Sequence, residues 1–219
     1  MSPRFAFALS ASVLFGACVG VSAAFAQQND SDGWVKLLAA DGLAKNFETT
    51  GNWSSEGEAT VVLKPRPGES GWRRFDDYLW TKEKHGDFDL QFESKIEKGG
   101  NSGFFFRVGD RKSPVTNGLE VQIFDSHAKG SDARLNDHDS GGVIPGVPPK
   151  KNAAKPAGEW DQWHITVKEN KLTVKLNGEV VNELDLTKGA VASRPAEGYL
   201  GFQDHGVPMA LRNIKVRKP

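Results

Sequence analysis

Apolar and polar residues alternate with a period of two along most of the chain, the pattern of half-buried β-strands. In residues 86–96, for example, Phe88, Leu90 and Phe92 point to one side and the acids and amides between them to the other. The same pattern, or a short apolar run bounded by turn residues, recurs at 101–108, 119–123, 163–167, 172–176, 180–186, 198–203 and 209–216. Helical periodicity is scarce, so the sequence predicts an all-β fold of about ten short strands, a sandwich or a barrel.

Turn signals and two long loops separate these strands. Asn177-Gly178 lies between two predicted strands, and this dipeptide favours a tight hairpin turn. Residues 125–142 are polar, and residues 143–158 contain four prolines, so neither stretch is predicted to be a strand. Loops of this length in a compact domain are commonly functional.

The N-terminus carries a different pattern from the rest of the chain. Arg4 is followed by an uncharged apolar run, and Ala24-Phe25-Ala26 supplies small residues at the positions that a signal peptidase reads. We therefore predict a secretory signal peptide over 1–26, a short tail over 27–33 and a single domain over 34–219, in the periplasm or secreted. A membrane anchor and lipidation at Cys18 are the alternatives. Cleavage removes Cys18, the only cysteine, so the exported domain has no disulfide.

The charge balance narrows the range of partners. The chain has 28 Lys and Arg against 28 Asp and Glu, which gives no electrostatic reason to expect a nucleic acid or an anionic membrane surface as partner. No apolar run after the leader is long enough to span a bilayer. The sequence does not determine the oligomeric state.

The run 119–124 carries the most informative polar residues. Along a strand, Glu120 and Gln122 share one face and the apolar residues between them share the other. Polar side chains on an interior strand need partners, or water in a groove. We therefore expect Glu120 and Gln122 to face the same groove.

Other strands carry polar residues that would extend this groove. The set comprises Glu93, Asn101, Arg107, Gln203 and His205. If residues 101–107 pair with 118–124, we expect Arg107 to reach Glu120. Near the last strands, Gln203 and His205 are expected to share one face, and Asp204 to lie on the opposite face. A solvated outer face is the alternative for each residue taken singly.

One polar loop concentrates groups that bind metals. Beside Asp125 it contains His127, Asp132, Asp137, His138 and Asp139. Imidazoles and carboxylates bind divalent ions, but this spacing matches no fixed motif. Two interpretations stay open: a divalent metal site that includes His138, with Glu120 or Asp125, and a solvated loop. No other cofactor is indicated.

Eight short motifs occur in order along the chain. They are GDFDL at 86–90, NSGFFFR at 101–107, GLEVQIFD at 118–125, SGGVI at 140–144, KPAGEWD at 155–161, LNG at 176–178, GFQDHG at 201–206 and LRNI at 211–214. This set resembles the 3-keto-disaccharide hydrolase family over residues 33–216. Family patterns read Gly-Ala-Leu-Tyr where this chain has GVIP at 142–145, and Trp-Asn where it has Trp160-Asp161.

The resemblance implies both a fold and a substrate. The fold is a concanavalin A-like jelly-roll β-sandwich, mostly antiparallel, with its site on the concave sheet. The substrate is a small carbohydrate, a 3-keto-glycoside, whose C3 ketone acidifies the proton on C2. Elimination across C1–C2, followed by hydration, then amounts to hydrolysis and needs a base, an enolate stabiliser and an acid.

We assign these roles to residues as hypotheses. The base is Glu120 or His205, the stabiliser Arg107 or a divalent cation, and the acid Asp125 or His138. The expected substrate-binding residues are Glu93, Asn101, Gln122, Gln203 and Trp160.

Two other functions stay open. Glu120-x-Gln122-x-x-Asp125 has the spacing of the Glu-x-Asp-x-x-Glu motif of retaining glucanases on this fold. A retaining enzyme needs two carboxyl groups about 5 Å apart, but this chain has the amide Gln122 where that motif has its middle acid. A noncatalytic carbohydrate-binding module would stack sugars on its aromatic residues and would carry few charges in its groove.

Overall fold

The computed structural model of the protein describes residues 1, 32–38, 42–57, 59–130 and 132–219. The predicted signal peptide falls almost entirely outside these residues, so the leader and export stay predictions. Within the described part the strands are β1 Val35–Lys36, β2 Phe47–Glu48, β3 Trp53–Ser55, β4 Thr60–Leu63, β5 Leu79–His85, β6 Phe88–Ile96, β7 Asn101–Val108, β8 Leu119–Phe124, β9 Val143–Ile144, β10 Asp161–Lys168, β11 Lys171–Leu176, β12 Glu179–Asp185, β13 Gly198–Phe202 and β14 Met209–Arg217. The single α-helix among them, α1, is Pro114–Asn117; short 3₁₀ turns lie at Leu43–Lys45, Phe75–Asp77, His127–Lys129 and Gly189–Val191. No helix in these residues is long and apolar enough to cross a membrane.

The strands form two antiparallel sheets packed face to face. One sheet has the order β12-β11-β10-β6-β14-β4-β3, with β1 beside β14, and is called the eight-stranded sheet. The other has the order β2-β5-β13-β7-β8-β9 and is called the six-stranded sheet. The all-β, mostly antiparallel sandwich predicted from the sequence is therefore confirmed.

The strands predicted from residue 86 onward are present, with bounds that differ by a few residues. One prediction in this region is wrong: β9 lies in the proline-rich stretch that was predicted to contain no strand. Ile144 pairs with Glu120 and Val143 with Val121. Two residues before Pro145 are enough for this pairing, and so short a strand leaves no periodic pattern.

The predicted hairpin is also present. Asn177 and Gly178 have φ values of 52° and 84°, and Leu176 pairs with Glu179 across them. Positive φ at both central residues is what a two-residue turn of type I′ requires, and Asn and Gly adopt it at least cost.

The hydrophobic core lies between the two sheets. Phe104, Phe106 and Val121 enter it from the six-stranded sheet, and Phe92 and Trp163 enter it from the eight-stranded sheet. The rings of Phe92 and Trp163 stack with their centroids 5.7 Å apart. Burying an aromatic or aliphatic side chain of this kind contributes about 1.5–3 kcal/mol, so the core accounts for the close packing of the sheets.

The face of the six-stranded sheet that points away from this core is also covered. A second buried cluster, Tyr78, Trp80, Phe105 and Val108, lies on that outer face. Residues 69–78, here called the covering segment, pass over it. The indole N–H of Trp80 donates to the carbonyl of Phe75 in this segment over 2.7 Å.

Candidate active site

The strand register places one row of residues across the outer face of the six-stranded sheet. Glu120 on β8 pairs with Phe105 on β7, Phe105 pairs with Gly201 on β13, and Gly201 pairs with Trp80 on β5. Neighbouring strands are about 4.8 Å apart, so the row is about 14 Å long. Glu120 occupies its polar end and Trp80 its aromatic end.

Glu120 does not stand upright from the sheet but lies across its neighbour. A Cβ at Gly103 on β7 would be 1.9 Å from Glu120 Oε1, far inside van der Waals contact. Only a glycine at position 103 leaves room for the carboxyl group. Glu120 is 7% exposed, so it lies deeper than an open groove would place it, and it lies outside the hydrophobic core cluster.

One amide side chain contacts the Glu120 carboxyl group, and two more lie on the same strands, β7 and β8. Gln203 Nε2 donates to Glu120 Oε1 over 3.3 Å, and Gln122 Nε2 donates to Asn101 Oδ1 over 2.8 Å. Ser102 Oγ holds the carbonyl of Gln203 at 2.8 Å and so fixes that residue. The structure thus brings together Glu120, Gln122, Asn101 and Gln203, four of the residues expected from the sequence. We call these four residues the Glu120 site.

The environment of Glu120 disfavours its charge. Burial, followed by the negative charge of Asp137, raises the pKa of Glu120 to about 8. Among the described contacts of its carboxyl group, the one hydrogen bond comes from the neutral amide of Gln203. A carboxyl group that exchanges a proton near neutral pH is a suitable acid or base for catalysis.

Tyr78, which the sequence did not single out, borders this carboxyl group, and Arg74 lies near Tyr78. Burial and the nearby charge of Glu120 raise the pKa of Tyr78, whose hydroxyl lies within hydrogen-bond reach of Gln203. Arg74 Nη2 lies 2.6 Å from Oδ1 of the fully buried Asp204, and Arg74 Nε donates to Asp77 over 2.8 Å. The basic and acidic run 73–78 was the only sequence signal for this group.

Asp204 contacts the covering segment on the outer side of the six-stranded sheet, whereas the sequence predicted it on the face opposite Gln203. It was expected opposite Gln203 and His205, yet Gln203 reaches Glu120 while Asp204 reaches Arg74. Strand β13 ends at Phe202, so alternation no longer sets the side-chain direction beyond it. His205 is tied down through its carbonyl, which accepts from Gly71 N–H over 3.0 Å, and its catalytic role stays a prediction.

The polar loop predicted to be functional contributes Asp137. Its Oδ2 accepts from Gly146 N–H over 2.7 Å, and its Oδ1 lies 2.9 Å from Nδ1 of the exposed His138. Although burial opposes them, these hydrogen bonds hold the pKa of Asp137 below its usual value. Asp137 therefore keeps the negative charge that acts on Glu120.

Arg107 does not reach Glu120, contrary to the expectation. Its Nη2 donates to the carbonyl of Glu169, in the turn between β10 and β11, over 2.7 Å. Arg107 has φ +54°, and the register between β7 and β13 shifts next to it. This irregularity turns the side chain away from the face on which Phe105 lies.

Glu93 and Trp160 are also far from the Glu120 site. Glu93 lies on β6 in the eight-stranded sheet, where its Oε2 accepts from Arg212 Nε over 2.9 Å. The ring of Trp160 lies beneath the same guanidinium, 4.1 Å away. Alternation along a strand separates two faces but does not say which sheet the strand joins, so the expectation failed for both.

Asp125 has a partner that suggests a role in the fold. Its Oδ2 accepts from Gly99 N–H over 2.9 Å, and its own N–H donates to the carbonyl of Gly100 over 3.1 Å. These bonds join the end of β8 to the turn between β6 and β7. The role of Asp125 as the catalytic acid stays a prediction.

The metal hypothesis finds no cluster to support it. Among the residues that the structure describes, no three His, Cys, Asp or Glu side chains are grouped so that they could hold a metal ion. His138 contacts Asp137 rather than Glu120 or Asp125. His127 Nδ1 lies 2.8 Å from the carbonyl of Ala154.

Fold and site together define a concanavalin A-like jelly-roll β-sandwich with a buried acid on the outer face of one sheet. The chain belongs to the family described as the 3-keto-alpha-glucoside-1,2-lyase-like domain, whose model matches residues 28–217. It is also 28% identical to a 3-keto-disaccharide hydrolase from Bacteroides thetaiotaomicron, in an alignment that covers 86% of this chain and 79% of that protein.

Solved structures show the same fold. A protein from Parabacteroides distasonis, provisionally named a glycosyl hydrolase, is 24% identical with a TM-score of 0.71, covering 85% of this chain and 99% of that one. A carbohydrate-binding module from Bacillus subtilis is 13% identical with a TM-score of 0.52, covering 85% of this chain and 96% of that one.

Proposed function

We propose that the protein is a carbohydrate hydrolase that cleaves 3-keto-glycosides by elimination across C1–C2 followed by hydration. Membership of the lyase-like family and the similarity to a 3-keto-disaccharide hydrolase support the substrate class. The observation that carries the proposal is Glu120, a buried carboxyl group with a pKa of about 8 among neutral amides.

The proposed reaction uses the acidity that a C3 ketone gives to C2. A base removes the C2 proton, and the electron pair forms an enolate on the C3 oxygen. The enolate then collapses: the ketone and a C1–C2 double bond form, the bond from C1 to the leaving oxygen breaks, and that oxygen takes a proton. Water adds its oxygen to C1 and a proton to C2, so the net change is hydrolysis.

Glu120 is the proposed base. A base works best when its pKa lies near the operating pH, and burial raises the pKa of Glu120 to about 8. About a tenth of such groups are ionised at pH 7, and about half are ionised at the pKa itself. We therefore expect kcat/KM to rise with pH up to about pH 8. His205 remains the alternative base.

The remaining roles fall to residues around Glu120. Amide groups of Asn101, Gln122 and Gln203 can donate to the sugar hydroxyls and to the enolate oxygen. Arg74, which lies near Tyr78 and pairs with Asp204, is the proposed positive charge. Because Arg107 points elsewhere, Arg74 replaces it as the proposed stabiliser. His138, held by Asp137 at the exposed end of the loop, is the proposed acid for the leaving group.

The alternative functions are less well supported. A retaining glucanase would need a second carboxyl group at the Glu-x-Asp-x-x-Glu spacing, but Gln122 is an amide and Asp125 bonds to the Gly99 turn. A binding module has no use for a buried acid of raised pKa, since an uncompensated buried carboxyl group costs stability.

The deciding experiment compares two substrates. The purified protein is incubated with a 3-keto-glucoside and, separately, with the unoxidised glucoside, each with and without a chelator. We expect cleavage of the 3-keto-glucoside only. Cleavage of the unoxidised glucoside would favour a glucanase, and binding of either sugar without any product would favour a binding module. Loss of cleavage with the chelator would reinstate a metal as stabiliser.

A further inference from the structure

Trp72 differs from the other tryptophans of the chain. Its side chain is 37% exposed, whereas Trp34, Trp53, Trp80 and Trp163 are buried. Trp160, the remaining one, is half-buried on the eight-stranded sheet. A single exposed indole is common on protein surfaces, so a role for Trp72 has to be argued from what the residue contacts.

Trp72 is attached to the Glu120 site through its backbone. The hydroxyl of Tyr78 donates to the carbonyl of Trp72 over 2.7 Å. The same hydroxyl lies within hydrogen-bond reach of Gln203, whose Nε2 donates to Glu120. Three successive contacts therefore connect the backbone of Trp72 to the carboxyl group of Glu120.

Packing within the covering segment holds the indole ring in place. The ring lies 5.9 Å from that of Phe75, at an angle of 44°, and the guanidinium of Arg73 lies 5.0 Å from its centroid. Next to it, Gly71 N–H donates to the carbonyl of His205, which anchors the segment to the end of β13. The ring is thus a supported, partly exposed apolar surface on the segment that carries Tyr78.

From this geometry we infer that Trp72 is a specificity-determining residue that binds the leaving-group sugar of a disaccharide substrate. The inference rests on the proposed function. The ring that carries the ketone must reach the buried Glu120, so the other sugar lies outward, toward the covering segment. The apolar C–H face of a pyranose packs against an indole as other apolar groups do.

Steady-state kinetics on two substrates test this inference. Trp72→Ala should raise KM for a 3-keto-disaccharide about 5- to 10-fold and leave KM for methyl 3-keto-glucoside, which lacks the second sugar, within about 2-fold. Trp72→Phe should stay close to the parent, because it keeps an aromatic face. Trp160→Ala is the matched control: it also removes a partly exposed indole beneath cations, but on the other sheet, and should change neither KM.

Each other result has a defined meaning. Equal losses on both substrates, or none on either, would overturn the inference, as would a Trp160→Ala effect equal to that of Trp72→Ala. If the parent cleaves neither substrate, the proposed function fails, and titration with maltose, followed by isothermal calorimetry, then decides the inference alone. Maltose binding that Trp72→Ala weakens would support a sugar site at Trp72; unchanged or absent binding would overturn it.

Discussion

At the scale of single residues, Glu120 shows how a fold can hold a group in an unfavourable state. Its carboxyl group is buried over Gly103 and receives a hydrogen bond from an amide rather than from a cation. The result is a pKa of about 8 instead of 4.5. A catalytic acid or base of this kind costs stability, and that cost is measurable.

The contribution of Glu120 to the stability of the protein should fall as the pH rises from about 4.5 to about 8. An acid whose pKa is higher in the folded state stabilises that state fully below its unfolded pKa and loses the contribution as the pH passes the folded pKa. For Glu120 the loss is on the order of 3–5 kcal/mol. Glu120→Gln has no charge to bury, so at pH 8 its free energy of unfolding should exceed that of the parent.

Denaturant unfolding at pH 5 and pH 8 measures this difference. At pH 5 the two proteins should be similar, because the parent carboxyl group is then protonated. Glu183→Gln, at an exposed residue that pairs with Lys150, is the control and should change the free energy of unfolding little at either pH. Parallel pH dependences for the parent and Glu120→Gln would show that the pKa of Glu120 is ordinary.

Single residues also show where sequence reasoning ends. The faces of Glu120 and Gln122 follow from alternation along one strand, and the structure agrees. The prediction that Arg107 reaches Glu120 is wrong, because a positive φ at a non-glycine residue next to a register shift has no signature in the sequence. Tyr78 and Arg74 join the site through the path of the covering segment, which no local pattern encodes.

At the scale of elements, a buried ion pair is one of the contacts that anchor the covering segment. Arg74 joins the segment to Asp204, just after β13, and Asp204 is fully buried. Removing one partner of a buried pair leaves the other charge desolvated and unpaired, which is strongly destabilising. The pair therefore helps to hold the segment that carries Tyr78 against the end of β13.

We expect Arg74→Ala to lower the free energy of unfolding by about 2–4 kcal/mol. Lys112→Ala is the matched control, because Lys112 and Asp76 form an exposed pair at 2.6 Å, and its loss should cost less than about 1 kcal/mol. Guanidinium denaturation of both variants measures the two values. Similar losses in the two variants would mean that the Arg74–Asp204 pair contributes no more than a surface contact.

The elements themselves were predictable to different extents. Strands of five to nine residues from β6 onward leave either a period of two or an apolar run bounded by turn residues, and the Asn177-Gly178 turn was equally clear. The short strands before β5 and the two-residue β9 were not individually predictable, since two to four residues cannot establish a period. Their pairing depends on neighbours far away in the sequence.

At the scale of the whole molecule, the division into two sheets decides which polar residues meet. Glu93 and Trp160 carry the right chemistry for a sugar site, but their strands belong to the eight-stranded sheet. Glu120, Asn101, Gln122 and Gln203 meet because β7, β8 and β13 are neighbours in the other sheet. The sequence resemblance supplied the fold, but sheet membership was visible only in the structure.

The central claim is that Glu120 removes the C2 proton of a 3-keto-glycoside. The most direct measurement follows a 3-keto-glucoside deuterated at C2 by NMR, at initial rates and with an enzyme-free blank. The parent should release the deuterium to solvent as it cleaves, and folded Glu120→Gln should do so about 10²- to 10⁴-fold more slowly. A cleaved product that retains its deuterium, or release by Glu120→Gln at the parental rate, would contradict the claim.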